Sequence, residues 1–157
     1  MAATASKPQS DSQTSQRLQS LAEFRYTLRK FLNFSEQAAL QANLQPQQHQ
    51  LMLQIAGAPE GVETTISWVA ERLGLRHHSV VELSKRCAEA GLVQRLQTNP
   101  DHRFVILRLT AGGEQALASL SDAHARELNE LAPQLVRALN RVRKSSPGQY
   151  TQNLEIK

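Results

Sequence analysis

A mainly α fold with one small β-hairpin is what this sequence predicts, and three observations carry that reading. Between Thr65 and Thr110, two short segments with apolar stripes meet at a glycine. Two extended runs then flank a polar Asn-Pro-Asp turn. On either side, residues 17–42 and 111–145 repeat apolar side chains every three or four positions. At 157 residues the chain is long enough for one domain with a sizeable core. The predicted architecture is a winged helix-turn-helix at 46–110 bracketed by long N- and C-terminal helices.

Taken in order, residues 1–16 (MAATASKPQSDSQTSQ) lack the apolar core of a signal peptide and read as a disordered tail. From Gln16 to Gln41 no Gly or Pro interrupts a helical pattern through Leu18, Leu21, Phe24, Leu28, Phe31, Leu32, Ser35 and Ala38. Such a helix is roughly 25 residues and about 37 Å long. A domain this small cannot bury that length against itself, so part of it should pack on a partner. Asn43 to Gln45 break the pattern, and Pro46 suits a first helical turn. The next helix, Gln47 to Ala56, should bury Leu51, Met52 and Ile55, with His49 beside that face. Residues 57–63 form a loop, and Thr64 to Ile66 are candidates for a short third strand.

The segment TISWVAERLGLRHHSVVELSKRCAEAGLVQRLQTNPDHRFVILRLT starts at Thr65. Its first helix, Ser67 to Leu73, places Val69, Ala70 and Leu73 on one face, and Gly74 supplies a left-handed stop. Its second, His77 to Ala90, sets Val80, Leu83, Ser84 and Cys87 at i, i+3, i+4 and i+7 as the inward stripe. That leaves His77, His78, Val81, Glu82 and Lys85 outward, with Arg76 just ahead and Gly91 closing the helix. A second helix of this kind is built to enter a major groove. Glu82 either accepts from a cytosine amino group or pairs with Arg86 at i+4, and the helical spacing favours the pairing.

In the wing, Val93 to Leu96 and Phe104 to Leu109 alternate their faces. Val105, Leu107 and Leu109 are expected inward, with Phe104, Ile106 and Arg108 on the other side. At the tip, Arg103 and His102 are placed to reach a minor groove or its phosphates, with Asp101 holding the Arg103 guanidinium. Arg95, on the first extended run, joins the same interface. Thr110 should cap the last helix, whose stripe runs through Leu117, Leu120, His124, Leu128, Leu131, Leu135, Ala138 and Val142. Pro133 should kink or divide it, and residues 146–157 read as a flexible tail.

These residues carry a family resemblance. WVAERLGL from Trp68, AGLVQR from Ala90, DHR from Asp101 and LTAG from Leu109 resemble, in order and spacing, the MarR family of winged-helix transcriptional regulators. The likeness runs from about Leu44 to Leu120. It implies a homodimer clasped through the terminal helices, reading a pseudo-palindromic site on double-stranded DNA, most often as a repressor. Two-fold symmetry would set the two recognition helices roughly 34 Å apart. The sequence departs from the family pattern at Glu82, usually neutral or basic, and at Arg76, where a capping Ser is common. The resemblance also implies a small aromatic or anionic effector in a crevice beside the DNA-binding lobe. Arg25, Tyr26, His49, Trp68 and Arg86 are the candidates for it.

Composition narrows the classes further. Residues 65–110 hold seven basic and four acidic side chains, whereas residues 1–64 hold five of each, so the surplus lies where phosphates would be met. One cysteine cannot form an internal disulfide, which fits a reducing cytoplasm. On the inward stripe its thiol should be inert rather than redox-sensing. No apolar run is long enough to span a bilayer. Adjacent His77 and His78 point roughly 100° apart on a helix and suit no metal. No nucleophile-base pair, paired carboxylates or phosphate-cradling loop marks an enzyme or a cofactor site. The rival reading is a winged-helix protein–protein interaction module that does not bind DNA.

Overall fold

The computed structural model describes residues 9–97 and 104–145. In chain order the elements are α1 (Gln9–Gln41), α2 (Pro46–Ala56), α3 (Ile66–Leu73), α4 (His77–Glu89), β1 (Val93–Gln97), β2 (Val105–Leu109) and α5 (Ala111–Ser145). The mainly α class with a two-stranded antiparallel hairpin is the one expected. Helix α1 begins ahead of its expected start, and residues 9–16 are helical rather than tail. The physical reason is that Pro8 is the last helix breaker before the apolar pattern.

Two compact units emerge, and their boundary is not the expected one at 46–110. Residues 34–125 form one unit, which takes in the end of α1 and the beginning of α5. Its core joins Ala39, Leu51, Met52, Ile55, Val69, Val80, Leu83, Cys87, Val93, Leu107, Leu117 and Leu120, drawn from every element of the unit. The terminal helices contribute because their apolar stripes do not stop where the winged helix begins.

Local signals account for the chain path here. Asn43, with φ 58°, ends α1 in a left-handed turn that lets Leu44 N–H donate to Ala39 O at 2.9 Å. Pro46 opens α2, and Gln45 N–H donates to the Gln48 carboxamide at 3.0 Å. Strands β1 and β2 pair in register from Val93↔Leu109 to Gln97↔Val105. Instead of a third strand there is one bridge, Thr65↔Ile106. Leu107 N–H donates to Thr64 O at 2.9 Å, and the buried Thr64 hydroxyl donates to Leu107 O. This pairing occupies the edge of β2 that faces away from β1. Ile106, expected outward, is buried like Leu107 because the segment ahead of α3 lies against it.

Thr110 caps α5, accepting from Gly113 N–H at 3.0 Å while its hydroxyl donates to Gly91 O at 2.6 Å. At Gly113 an added Cβ would stand 2.1 Å from Leu92 O, so the helix start approaches the α4–β1 corner too closely for any side chain.

The second unit comprises residues 9–33 and 126–145, the outer parts of α1 and α5. It buries Ser20, Thr27, Leu131 and Ala138. Ser20 and Thr27 turn their hydroxyls back to Gln16 O and Glu23 O, which satisfies them without a partner. Leu18, Leu21, Leu28, Leu32, Leu128, Val136 and Leu139 stay exposed, Leu18 at 63%. Pro133 lies inside α5 without dividing it. Its missing N–H removes a single rung, which the turns on either side outweigh.

Candidate nucleic-acid interface

The helix-turn-helix is built from strong local signals. Thr65 caps α3 by accepting from Trp68 N–H at 3.2 Å. Gly74, at φ 62°, ends it, and Leu75 N–H returns to Ala70 O at 2.9 Å. Arg76 begins α4 with no side-chain cap, but its carbonyl accepts from Ser79 and Val80, so the first turn is closed. The inward stripe of α4 is the expected one: Val80, Leu83, Ser84 and Cys87 are all buried. Burial pushes the Cys87 thiol up to about 11, far from thiolate formation at neutral pH.

With that stripe inside, α4 turns Arg76, His77, His78, Glu82 and Lys85 to solvent, and Val81 is half-buried between the two faces. Glu82 pairs with Lys85 at 2.7 Å, not with Arg86. Residues three and four apart are both neighbours on a helix, and Arg86 instead lines a cavity of about 360 Å³ with Glu36 and Gln48. The hydrogen bond from Lys85, and then the charges of Lys85, Arg95 and Arg86, hold the Glu82 carboxyl below its usual range. Part of the cationic face is therefore already neutralised.

Arg95 faces Leu107 across the hairpin and is half-buried, with its Nε–H buried and unpaired. It lines a cavity of about 240 Å³ with His77, Val81, Thr65, Ser67 and Phe104. The fold thus gathers His77, Val81 and Arg95 at one place between α3, α4 and the hairpin. Ser67 and Phe104 join them. The periodicity of the chain could not single these two out, because Ser67 meets α4 through the packing of α3 and Phe104 through the hairpin. Asp101, His102 and Arg103 lie outside the described residues.

The effector candidates are divided between the two units. Arg25 and Tyr26 lie exposed on the outer part of α1, with Lys30 Nζ 5.7 Å above the Tyr26 ring. Trp68 is half-buried under the Arg72 guanidinium, whose Cζ is 5.6 Å from the ring centroid. His49 is buried, 3% exposed, and stacks on His124 with centroids 4.8 Å apart. Burial, and then the neighbouring His124, hold its pKa below the ordinary imidazole value. The role of His124 as its partner was not legible from apolar spacing, which reads His124 merely as part of a stripe. Among the described residues no cluster of three or more His, Cys, Asp or Glu is placed to hold a metal, and no helix is long and apolar enough to cross a membrane.

Residues 42–103 match the family model described as MarR family. No curated protein matches the chain. Among solved structures, it is similar to AbsC, a MarR family transcriptional regulator from Streptomyces coelicolor. The TM-score is 0.65 at 17% identity, over 90% of this chain and 93% of that one. AbfR in its disulfide form aligns with a TM-score of 0.62 at 21% identity, over 86% and 97%. MepR from S. aureus, solved as a DNA complex, aligns with a TM-score of 0.62 at 20% identity, over 78% and 88%. At these identities the likeness is one of fold. The match to the family model over residues 42–103 and the likeness to solved structures together give this chain the fold of MarR regulators.

Proposed function

We propose that this protein is a sequence-specific, double-stranded DNA-binding transcriptional regulator, acting as a homodimeric repressor on a pseudo-palindromic operator. The observation that carries the reading is the division of α4. One face is wholly committed to the core, and the other offers Arg76, His77, His78 and Lys85 to solvent beside Arg95. Basic and imidazole donors on a second helix suit phosphates and base edges of a major groove, and half-buried Val81 suits a thymine methyl. MepR, which shares the fold, was solved on DNA.

The homodimer rests on the exposed leucines of α1 and the exposed Leu128, Val136 and Leu139 of α5. Contiguous apolar rows of this kind mark association surfaces. Control by a small aromatic or anionic effector belongs to the same reading, with Arg25, Tyr26, His49, Trp68 and Arg86 as its candidate contacts. Gel shifts with DNA flanking the protein's own gene, at two salt concentrations, test the proposal. Steep salt dependence with a fixed footprint is expected. The absence of any shift at low salt would instead point to a protein–protein module.

A further inference from the structure

The outer parts of α1 and α5 carry a charge that the winged-helix unit does not. Residues 9–33 and 126–145 hold nine Lys and Arg side chains against four Asp and Glu. Residues 34–125 hold seven against nine, so the basic surplus of residues 65–110 is cancelled within its own unit. The net charge of +4 therefore resides in the terminal helices.

Helical periodicity gathers much of this charge on one side. Along α5, exposed Arg126, Arg137, Arg141 and Lys144 fall within about 60° of one another at 100° per residue. Exposed Glu130 shares that stripe, and half-buried Glu127 lies at its edge; no acid follows Glu130 in residues 131–145. The exposed Leu128 and Leu139 project from the opposite side, roughly 160–180° from Arg137. Helix α1 divides in the same way. Gln16, Gln19, Glu23, Tyr26 and Lys30 recur every three or four residues and are exposed, while the exposed Leu18, Leu21, Leu28 and Leu32 keep to the other side. The two polar rows meet at a hollow of about 400 Å³ lined by Gln16, Gln19, Ser20, Glu23, Arg141 and Lys144. Arg143 and Lys144 complement the partial negative charge at the α5 carboxyl end, but Arg137 and Arg141 precede the last turn, where that field acts.

We propose that this two-helix face is a second nucleic-acid surface, which grips the phosphate backbone of double-stranded DNA without reading its sequence. The side chains on the face select the partner. A membrane-surface helix needs an apolar side to press into lipid beside its cations, and a protein partner needs buried anchors. This face presents no Leu, Ile, Val or Phe, and its one aromatic, Tyr26, lies 5.7 Å beneath the Lys30 ammonium. Arg, Lys, Gln, Ser and Tyr are instead the side chains that meet phosphate and sugar oxygens. From Arg126 to Lys144 the stripe is about 27 Å long, the rise of about eight base pairs. Covering the leucine rows with a second copy leaves it open, because rows and stripe lie on opposite sides of their helices. The surface adds affinity for any duplex and does not depend on base recognition by α4.

The test uses the full chain, with affinity measured on a random-sequence duplex and on DNA flanking the protein's own gene, from about 50 to 200 mM salt. Arg137→Gln, Arg141→Gln and Lys144→Gln are combined in one variant; a second carries Arg137→Lys and Arg141→Lys. On the random duplex, the Gln variant should lower the salt slope by about 0.9 for each phosphate contact removed, roughly three units per protomer. The Lys variant should keep the wild-type slope, since the charge remains. If the Gln variant does not fold, Arg141→Gln alone replaces it, with a fall of about one unit expected. An unchanged slope, or a Lys variant as weak as the Gln variant, would overturn the proposal. So would loss of binding to anionic phospholipid vesicles in the Gln variant with its DNA binding unaltered. A fixed footprint beside an unaltered slope leaves the regulator reading standing without this surface. Salt-dependent binding that has no footprint and is lost in the Gln variant does the reverse, and no binding to either duplex overturns both.

Discussion

The two units of this chain bury different things. Residues 34–125 enclose large aliphatic side chains, with Leu51, Met52, Val69, Val80, Leu83 and Leu107 sealed from solvent. The unit of residues 9–33 and 126–145 seals mainly small ones, Ser20, Thr27 and Ala138 beside Leu131, and leaves Leu18, Leu21, Leu28, Leu32, Leu128 and Leu139 exposed. Full burial of a Leu side chain is worth roughly 1.5–3 kcal/mol, whereas burial of a Ser or Thr hydroxyl gains almost nothing once it is internally bonded. The first unit therefore holds itself together. The second has apolar surface still to bury, which is what a surface for a second copy requires.

The strongest challenge to this contrast is at Gly113. Replacing it by Ala sets a Cβ 2.1 Å from Leu92 O, a backbone atom that cannot swing away. The expected loss is about 3 kcal/mol or more, at the upper end of overpacking costs. Chemical denaturation would measure it, and a loss below 1 kcal/mol would show that the α5 start is not pinned to the α4–β1 corner. Next comes Leu83→Ala in the sealed core, expected to cost about 2–5 kcal/mol.

Leu18→Glu combined with Leu28→Glu sharpens the other side of the contrast. The pair should weaken self-association at least tenfold in sedimentation, equivalent to about 1.4 kcal/mol. Cys87 should stay unreactive toward a thiol reagent, because its unit does not depend on these leucines. Rapid labelling of Cys87 in this variant would mean that the first unit is not self-sufficient after all. Smaller again is the effect of Lys85→Ala, which should lower the salt slope of DNA binding by about one unit. Glu82→Gln, which frees Lys85 and removes a negative charge from the DNA face, should tighten binding by roughly two- to fivefold at low salt. Weaker binding in that variant would assign Glu82 to base recognition instead.

Much of the winged helix was legible because its signals are local. The α4 stripe, the left-handed glycines at 74 and 91, and the Thr110 cap each depend on residues within about one helical turn. The candidate site was legible only by position: α4's outward residues follow once its inward stripe is known. The cavity formed by His77, Arg95, Ser67 and Phe104 was not, since Arg95 and Phe104 join Ser67 and His77 only when the hairpin folds back.

By itself, then, the sequence determined the order of helices and strands, their caps and turns, and which face of α4 is free. It could do so because helical and strand periods, φ preferences and capping chemistry act over a few residues. Only the tertiary structure decided that Ile106 is covered, that Glu82 chooses Lys85 over Arg86, that Gly113 admits no side chain, and that His49 meets His124. All but the Glu82 pairing are contacts between segments far apart in the chain, and that pairing turned on where Arg86 was drawn. Such outcomes follow from packing at interior density, which no local pattern encodes.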